Sequence, residues 1–400
     1  MNEPHSITQS ADVLPEPSAA AKDRSQALCV QIEEQCNQSA GWIPYSEFMQ
    51  MALYAPGLGY YSGDLRKFGA EGDFITAPEV SPLFAQCIAR QVSDVLSGMS
   101  ESRVLEFGAG SGVMAADMLL ELEQIDALPE QYLILELSAS LKQRQQKTIQ
   151  NKAPHLLDRV VWLDALPEEK FNGVVVANEV LDAMPVECFR INEGAVEVLQ
   201  VHCKNNVLTS KYKMANETIE SAVRTIEERI EVSLPDGYCS EFNPAISAWL
   251  ESISTMLEQG MVLLIDYGYA AAEYYHEERQ MGTMMCHYQH RAHADPLWYP
   301  GLQDITTFVD FTDVAYSAVD AGFDVSGYTS QAIFLMGSGI DELHQRQVTD
   351  DVKNQVILSQ QIKTLTMPSE MGERFKVMAL TKNYDEPLRG FIMQDLRGRL

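Results

Sequence analysis

RVLEFGAGSGVMAADMLL, residues 103–120, reads as a strand, a tight glycine turn and a helix in immediate succession. Three readings compete for Gly108, Gly110 and Gly112. A dinucleotide fold spaces its glycines G-x-G-x-x-G with an acidic ribose partner about 20 residues on, and a phosphate loop ends in G-K-S or G-K-T. Here the spacing is G-x-G-x-G, no lysine follows, and Glu106 stands two residues before the first glycine. A carboxylate costs Coulomb energy beside a pyrophosphate and is favourable beside the ammonium of an amino-acid cofactor. The turn therefore predicts a cofactor that carries a cation and lacks phosphate. S-adenosylmethionine, with its ammonium, its sulfonium and a ribose diol, meets that description.

Outward from this turn, short apolar runs alternate with helical patterns: YLILELS (132–138) followed by ASLKQRQQKTIQ, then VVWLD, then GVVVANEV (173–180). Such alternation predicts parallel strands with helices on both faces. Ligands of open parallel sheets bind outside the carboxyl ends of the strands. Glu136 ends the second strand, where it faces the ribose across the first turn, and Asp164 ends the third, where it is placed for the adenine amino group. Each carboxylate alone reads as an ordinary solvated side chain; three at successive strand ends read as a pocket.

The fourth strand runs into NEVLDAMPVECF, residues 178–189. Asn178, Glu179 and Asp182 put an amide and two carboxylates where a transferred methyl would emerge, and a helical turn starting at Glu179 would set Asp182 on the same face. The plainer reading is a capped turn. The functional one is a cradle for a cationic acceptor, since paired carboxylate oxygens match a planar guanidinium.

Composition bounds the rest. A chain of 400 residues, 46% hydrophobic and 22% charged, is long enough for one large core or two modest ones. Its 29 basic and 57 acidic residues give a formal charge of −28, which repels phosphate backbones and anionic lipid and argues against a nucleic-acid partner. Seven scattered cysteines without a C-x-x-C pair predict reduced thiols in a cytoplasmic protein. No apolar run approaches the roughly 20 residues of a membrane span. Residues 1–26 read as a disordered tail without an export signal. Residues 27–100 read as a helical and lid region, with a short helix in GWIPYSEFMQMALYAP (41–56) and a glycine-, proline- and aromatic-rich cover loop over 57–82. Residues 101–185 form the cofactor half of the core. An antiparallel insertion over 186–240 turns at Asn205-Asn206, and 241–400 supply the second half, with a substrate-side loop over 270–312. A helix ending near Gly260 precedes the strand GMVLLIDYGY, and DVSGYTSQAIFLMG and RFKVMALTK close the chain as two strands of a terminal hairpin.

The motifs ALYAPGLGYY, GDFITAPEVSPLF, VLEFGAGSG, NEVLDAMPVECF, LLIDYGY and PGLQDITTFVDFT, in that order, resemble the MidA family over about residues 41–382. The resemblance implies a seven-stranded class I, Rossmann-like methyltransferase core, S-adenosylmethionine as cofactor, and a protein arginine as acceptor, on a respiratory-complex subunit or similar. It sets Gly72, Asp73, Thr76 and Pro78 over the cofactor, assigns His290 to the substrate side, and makes Asp304 and Asp310 part of the acceptor wall. By itself, Asp304 reads as a helix cap. Tyr267 and Tyr269 read either as packing around an acceptor or as core. Two other functions stay open: a cofactor-binding assembly chaperone without transfer, and a small-molecule methyltransferase. A homodimer is left open. The spacing of His287, His290 and His293 does not converge on one ion, so no metal site is expected.

Overall fold

The computed structural model describes residues 14–63, 76–348 and 351–400. Its main sheet contains strands β1 (Arg103–Phe107), β2 (Gln131–Leu135), β3 (Val160–Leu163), β4 (Phe171–Asn178), β5 (Leu257–Tyr269), β6 (Asp324–Ser330) and β7 (Phe375–Lys382), in the order β6-β7-β5-β4-β1-β2-β3. All neighbours are parallel except β7, which is antiparallel to both β6 and β5. Seven strands were expected; the described sheet has eight, because the short strand Val309–Asp310 pairs with the end of β5.

Alternation along each strand feeds two cores. Val104, Val176, Leu263 and Val377 point to one, where helices α3 (Ala77–Val80), α4 (Pro82–Leu96) and α5 (Val113–Gln124) pack. Leu105, Val175, Leu264 and Met378 point to the other, which is covered by the helices Ile246–Met256 and Phe311–Asp320. A second sheet is built from the antiparallel strands Ile43–Pro44, Glu187–Asn192, Ala195–Lys204, Val207–Met214 and Cys239–Phe242. Its turn at Asn205 and Asn206 has φ values of +52° and +62°, the left-handed pair a tight hairpin needs. Helices α1 (Ala19–Gln38) and α2 (Tyr45–Tyr54) pack on this second sheet through Leu28, Ile32, Phe48 and Val201.

Four expectations need correction. Order was placed from Ala27, but α1 begins at Ala19: Ser18 caps it by accepting from Ala21 N, and the following alanines favour helix. The helix expected to end near Gly260 ends at Met256. Gly260 lies inside β5 at φ +142°, where a Cβ would sit 1.8 Å from the Gly173 carbonyl oxygen, so this glycine serves strand approach and not a helix stop. The run expected as a strand through Gly337 leaves the sheet after Ser330 and becomes the helix Gln331–Gly337, burying Ala332, Phe334 and Leu335; a short apolar run fits either element. The terminal hairpin is accordingly not tight, since helices separate β6 from β7.

The sheet reverses winding direction between β1 and β4, which opens a crevice at their carboxyl ends. There, Gly112 is the left-handed N-cap of α5 at φ +81°. Helix α6 (Ala139–Lys152) comes so close that a Cβ on Gly112 would lie 2.8 Å from the Gln145 Cα. Gly112→Ala is expected to lower stability by about 1–3 kcal/mol, because backbone must move to admit the methyl. Thermal unfolding checks this; an unchanged midpoint would show that the two helices separate freely.

Candidate active site

The crevice holds a cavity of about 290 Å³. Its wall is continuous from the glycine turn (Gly108 to Ser111), past Glu106 and Glu136, to Asn178, Glu179 and Asp182, with Thr76 and Pro78 on another side. Nine of the residues singled out for binding and catalysis are thus brought to one space: Glu106, Gly108, Gly110, Glu136, Asn178, Glu179, Asp182, Thr76 and Pro78.

At the nucleoside end, Gly108 and Gly110 have φ values of +60° and +51°, which let the β1 turn fold back and present backbone to the cavity. Glu106 is buried and accepts the Tyr132 hydroxyl at 2.7 Å; burial pushes its carboxyl up to about 7, against the lowering effect of that hydroxyl. Glu136 is oriented by two donors, Ser138 N and Gln145 Nε2, each at 2.9 Å. Gln145 is itself fixed by Trp162 Nε1, which donates to its Oε1 at 3.0 Å. Met114, Leu137 and Leu141 supply apolar wall next to this carboxylate.

At the other end stand Tyr54, Tyr61, Tyr267 and Asp304 with the Asn178–Asp182 turn. Glu179 takes φ +52°, a left-handed conformation rare for a residue with a side chain, and its N–H donates to the Ile265 carbonyl at 2.9 Å. It therefore does not begin a helical turn, yet it and Asp182 still share the cavity. Asn178 Nδ2 donates to Glu179 Oε1 at 3.2 Å, and the Tyr267 hydroxyl donates to Asp182 Oδ2. Asn178 Oδ1 is buried and has no hydrogen-bond partner, and Asp182 Oδ1 is buried and takes no side-chain donor. A buried oxygen without a partner is costly unless a ligand fills it. Glu179 lines the cavity, and burial together with the neighbouring Asp182 pushes its carboxyl up to about 8, against the lowering effect of the Asn178 hydrogen bond. Burial raises Asp182 to about 6, with the Tyr267 hydroxyl holding it down.

Behind the turn, Asp266 is fully buried. Its carboxylate accepts the backbone N–H groups of Leu181 (3.0 Å), Asp182 (3.2 Å) and Tyr267 (2.9 Å).

Several expected roles are not supported by this placement. Asp164 lies outside the cavity wall, with a largely exposed carboxylate paired to Lys142, because β3 is the edge strand, two strands away from the β1–β4 switch point. His290 sits exposed at the tip of the hairpin joining Met285–Tyr288 to Arg291–His293, in a left-handed turn with Gln289. Gly112 packs against Gln145 and does not line the cavity. Asp304 caps no helix: it lies in the strand Asp304–Thr306, accepts the Tyr61 hydroxyl at 2.9 Å and lines the cavity. The cap is Asp310, which accepts from Thr312 N and Asp313 N and lies outside this cavity. Tyr269 likewise stays outside, under the Arg279 guanidinium. Gly72 and Asp73 lie outside the described residues. Glu79, which accepts the Ser111 hydroxyl, ends the FITAPE stretch that the resemblance sets over the cofactor, and Tyr54 and Tyr61 are wall residues not singled out from the sequence, although the glycine- and aromatic-rich motif around them carried a signal. Among the described residues, no group of three or more His, Cys, Asp or Glu is arranged to hold a metal, and no helix is long and apolar enough to cross a membrane. All seven cysteines are free.

The switch-point cavity, with carboxylates at the ends of β1 and β2, a glycine turn and apolar wall beside Glu136, suits a phosphate-free nucleoside that carries a cation. Fold and site together define an S-adenosylmethionine-dependent methyltransferase. Residues 87–329 match the model of a family described as "Putative S-adenosyl-L-methionine-dependent methyltransferase", and the chain belongs to that family. A crystal structure of a Burkholderia thailandensis protein bound to S-adenosyl-homocysteine superposes with a TM-score of 0.91 at 40% identity, covering 97% of this chain and 100% of that one. Curated relatives are more distant. The mitochondrial protein arginine methyltransferase NDUFAF7 homolog of Drosophila melanogaster is 27% identical over 396 residues, 92% of this chain and 87% of its own. The Bos taurus NDUFAF7 arginine methyltransferase is 29% identical, over 86% of this chain and 81% of its own.

Proposed function

We propose that the protein methylates a guanidinium nitrogen of an arginine in a protein acceptor. The observation that carries this reading is the cluster of Asn178, Glu179 and Asp182 on the cavity wall, which sets two carboxyls and an amide with an unpartnered oxygen at its acceptor end. An acceptor oxygen without a donor calls for a ligand rich in N–H groups, and two adjacent carboxyls call for one that is cationic. The names of the curated relatives point the same way.

S-adenosylmethionine, when bound, supplies an electrophilic methyl on a sulfonium. Glu136 suits the ribose hydroxyls, Leu137 and Leu141 the adenine face, and Glu106 the ammonium. Glu179 and Asp182 orient the guanidinium for an in-line approach and offset the repulsion between two neighbouring cations. Full prior deprotonation of the guanidinium is unnecessary, because a carboxylate can take the proton as the new bond forms. The free thiols suit a reducing compartment, and the cytoplasm is our placement.

The test is transfer of tritiated methyl from S-adenosylmethionine in lysate fractions, followed by acid hydrolysis. Label in methylarginine supports the reading; label confined to small molecules would replace it with the small-molecule alternative, and partner binding without label with the chaperone.

A pH dependence follows from the acceptor carboxyls. Both are raised in the free protein, Asp182 to about 6 and Glu179 to about 8, so they become anionic as pH climbs through that range. The kcat/KM for a cationic acceptor is expected to rise from pH 6 to about 8 and then level off. A flat profile between pH 6 and 9 would contradict this. Stability moves the other way: a carboxyl raised above its unfolded value binds an extra proton in the folded state, so the ligand-free protein loses stability as pH rises from the ordinary carboxylate range through about 8.

A further inference from the structure

Asp182 has two carboxylate oxygens in unlike situations. Oδ2 accepts the Tyr267 hydroxyl, whereas Oδ1 is buried and takes no side-chain donor; both residues line the cavity. The Asp182 backbone is held independently: its N–H donates to Asp266 at 3.2 Å, and its carbonyl accepts the Thr307 N–H at 3.0 Å. The Tyr267 ring is also fixed, edge-on to Phe308 at 5.5 Å and to Phe375 at 5.3 Å. Backbone, one oxygen and the ring that holds it are thus set by separate elements, which fixes the Asp182 carboxylate at the cavity wall.

We propose that Tyr267 is a positioning residue of the acceptor site, taking one oxygen of Asp182 so that the other is presented to an N–H of the acceptor. This rests on the acceptor reading above. Packing alone does not require the hydroxyl, since Phe would fill the same space between Phe308 and Phe375. The hydroxyl's work is chemical: it selects one rotamer of Asp182 and stabilises its anion. Glu179 faces Asp182 from the same turn, Asp266 from β5 and Asp304 from the strand Asp304–Thr306, with the Tyr54 and Tyr61 hydroxyls opposite. Replacement of Tyr267 changes none of these groups, so an altered Asp182 titration reports on the Tyr267 contact.

The experiment is Tyr267→Phe in the full chain. With an arginine peptide, KM is expected to rise about 10-fold, and the acidic limb of kcat/KM to move up by about one pH unit as the anion loses its donor. Cofactor affinity by calorimetry should stay within about twofold. In an Asp182→Asn background the same substitution should have little further effect, because the coupling runs through the carboxylate. Unchanged KM and an unmoved limb would reduce Tyr267 to packing, and an undiminished effect in the Asp182→Asn background would show that it acts elsewhere. A readout without acceptor separates this proposal from the function: the infrared carboxyl titration of Asp182, identified by its loss in Asp182→Asn, in the complex with S-adenosyl-homocysteine. A higher midpoint in Tyr267→Phe supports the pair even if the wild type methylates no arginine, in which case only the acceptor reading fails. An identical midpoint overturns the pair.

Discussion

Glu179→Gln is expected to lower methyl transfer to an arginine acceptor by about 10²–10³-fold while leaving S-adenosylmethionine affinity within about twofold. The side chain starts from a left-handed residue anchored to Ile265 and opens on the acceptor end of the cavity, away from the glycine turn and Glu136. Glutamine keeps the shape and one acceptor oxygen but turns the other into an N–H₂ facing a guanidinium that has only donors. Stability should survive, since the carboxyl is raised to about 8 and is already mostly protonated at neutral pH when no acceptor is bound. Steady-state transfer, calorimetry and thermal unfolding on one preparation separate these effects. Turnover within twofold of wild type would remove Glu179 from the mechanism.

The second large effect lies at the other end of the cavity. Glu136→Ala is expected to weaken S-adenosylmethionine binding about 100-fold, with kcat at saturating cofactor changed far less. Ser138 N and Gln145 Nε2 fix this carboxylate, and Trp162 in turn fixes Gln145, so its oxygens are preorganised for the ribose diol. Two charge-assisted hydrogen bonds at about 1.5 kcal/mol each account for an effect of that size. Equal dissociation constants for the variant and wild type would assign the ribose to another partner.

Local pattern carried much of the architecture. The strand-turn-helix of 103–120 identified both the sheet and the cofactor chemistry, because glycines at positive φ and a carboxylate at a strand end are requirements visible in one short stretch. The Asn178–Asp182 turn was legible for the same reason. What failed depended on distance or on ambiguous local signals. Asp164 has the same sequence context as Glu136, but β3 is the edge strand, one place further from the crevice than β2, and its carboxylate turns to Lys142. Asp304 by itself looked like a cap, and the resemblance put both Asp304 and Asp310 in the acceptor wall; the chain puts five residues between them, and only tertiary pairing with Met285–Tyr288 decides which one reaches the cavity. Tyr61 and Tyr54 come from helix α2 and the segment after it, which pack on the second sheet, so their arrival at the acceptor end follows from a docking that no local periodicity records. Gly260 has the appearance of a helix stop and serves instead as the place where β5 meets the Gly173 backbone.

Arginine methylation is tested most directly by quantitative mass spectrometry of methylarginine in cells that carry the gene, cells that lack it, and deleted cells complemented with wild type or Glu179→Gln. The predicted result is a methylarginine site that disappears on deletion, returns with wild type and stays absent with Glu179→Gln. An unchanged methylarginine profile across all four would contradict it.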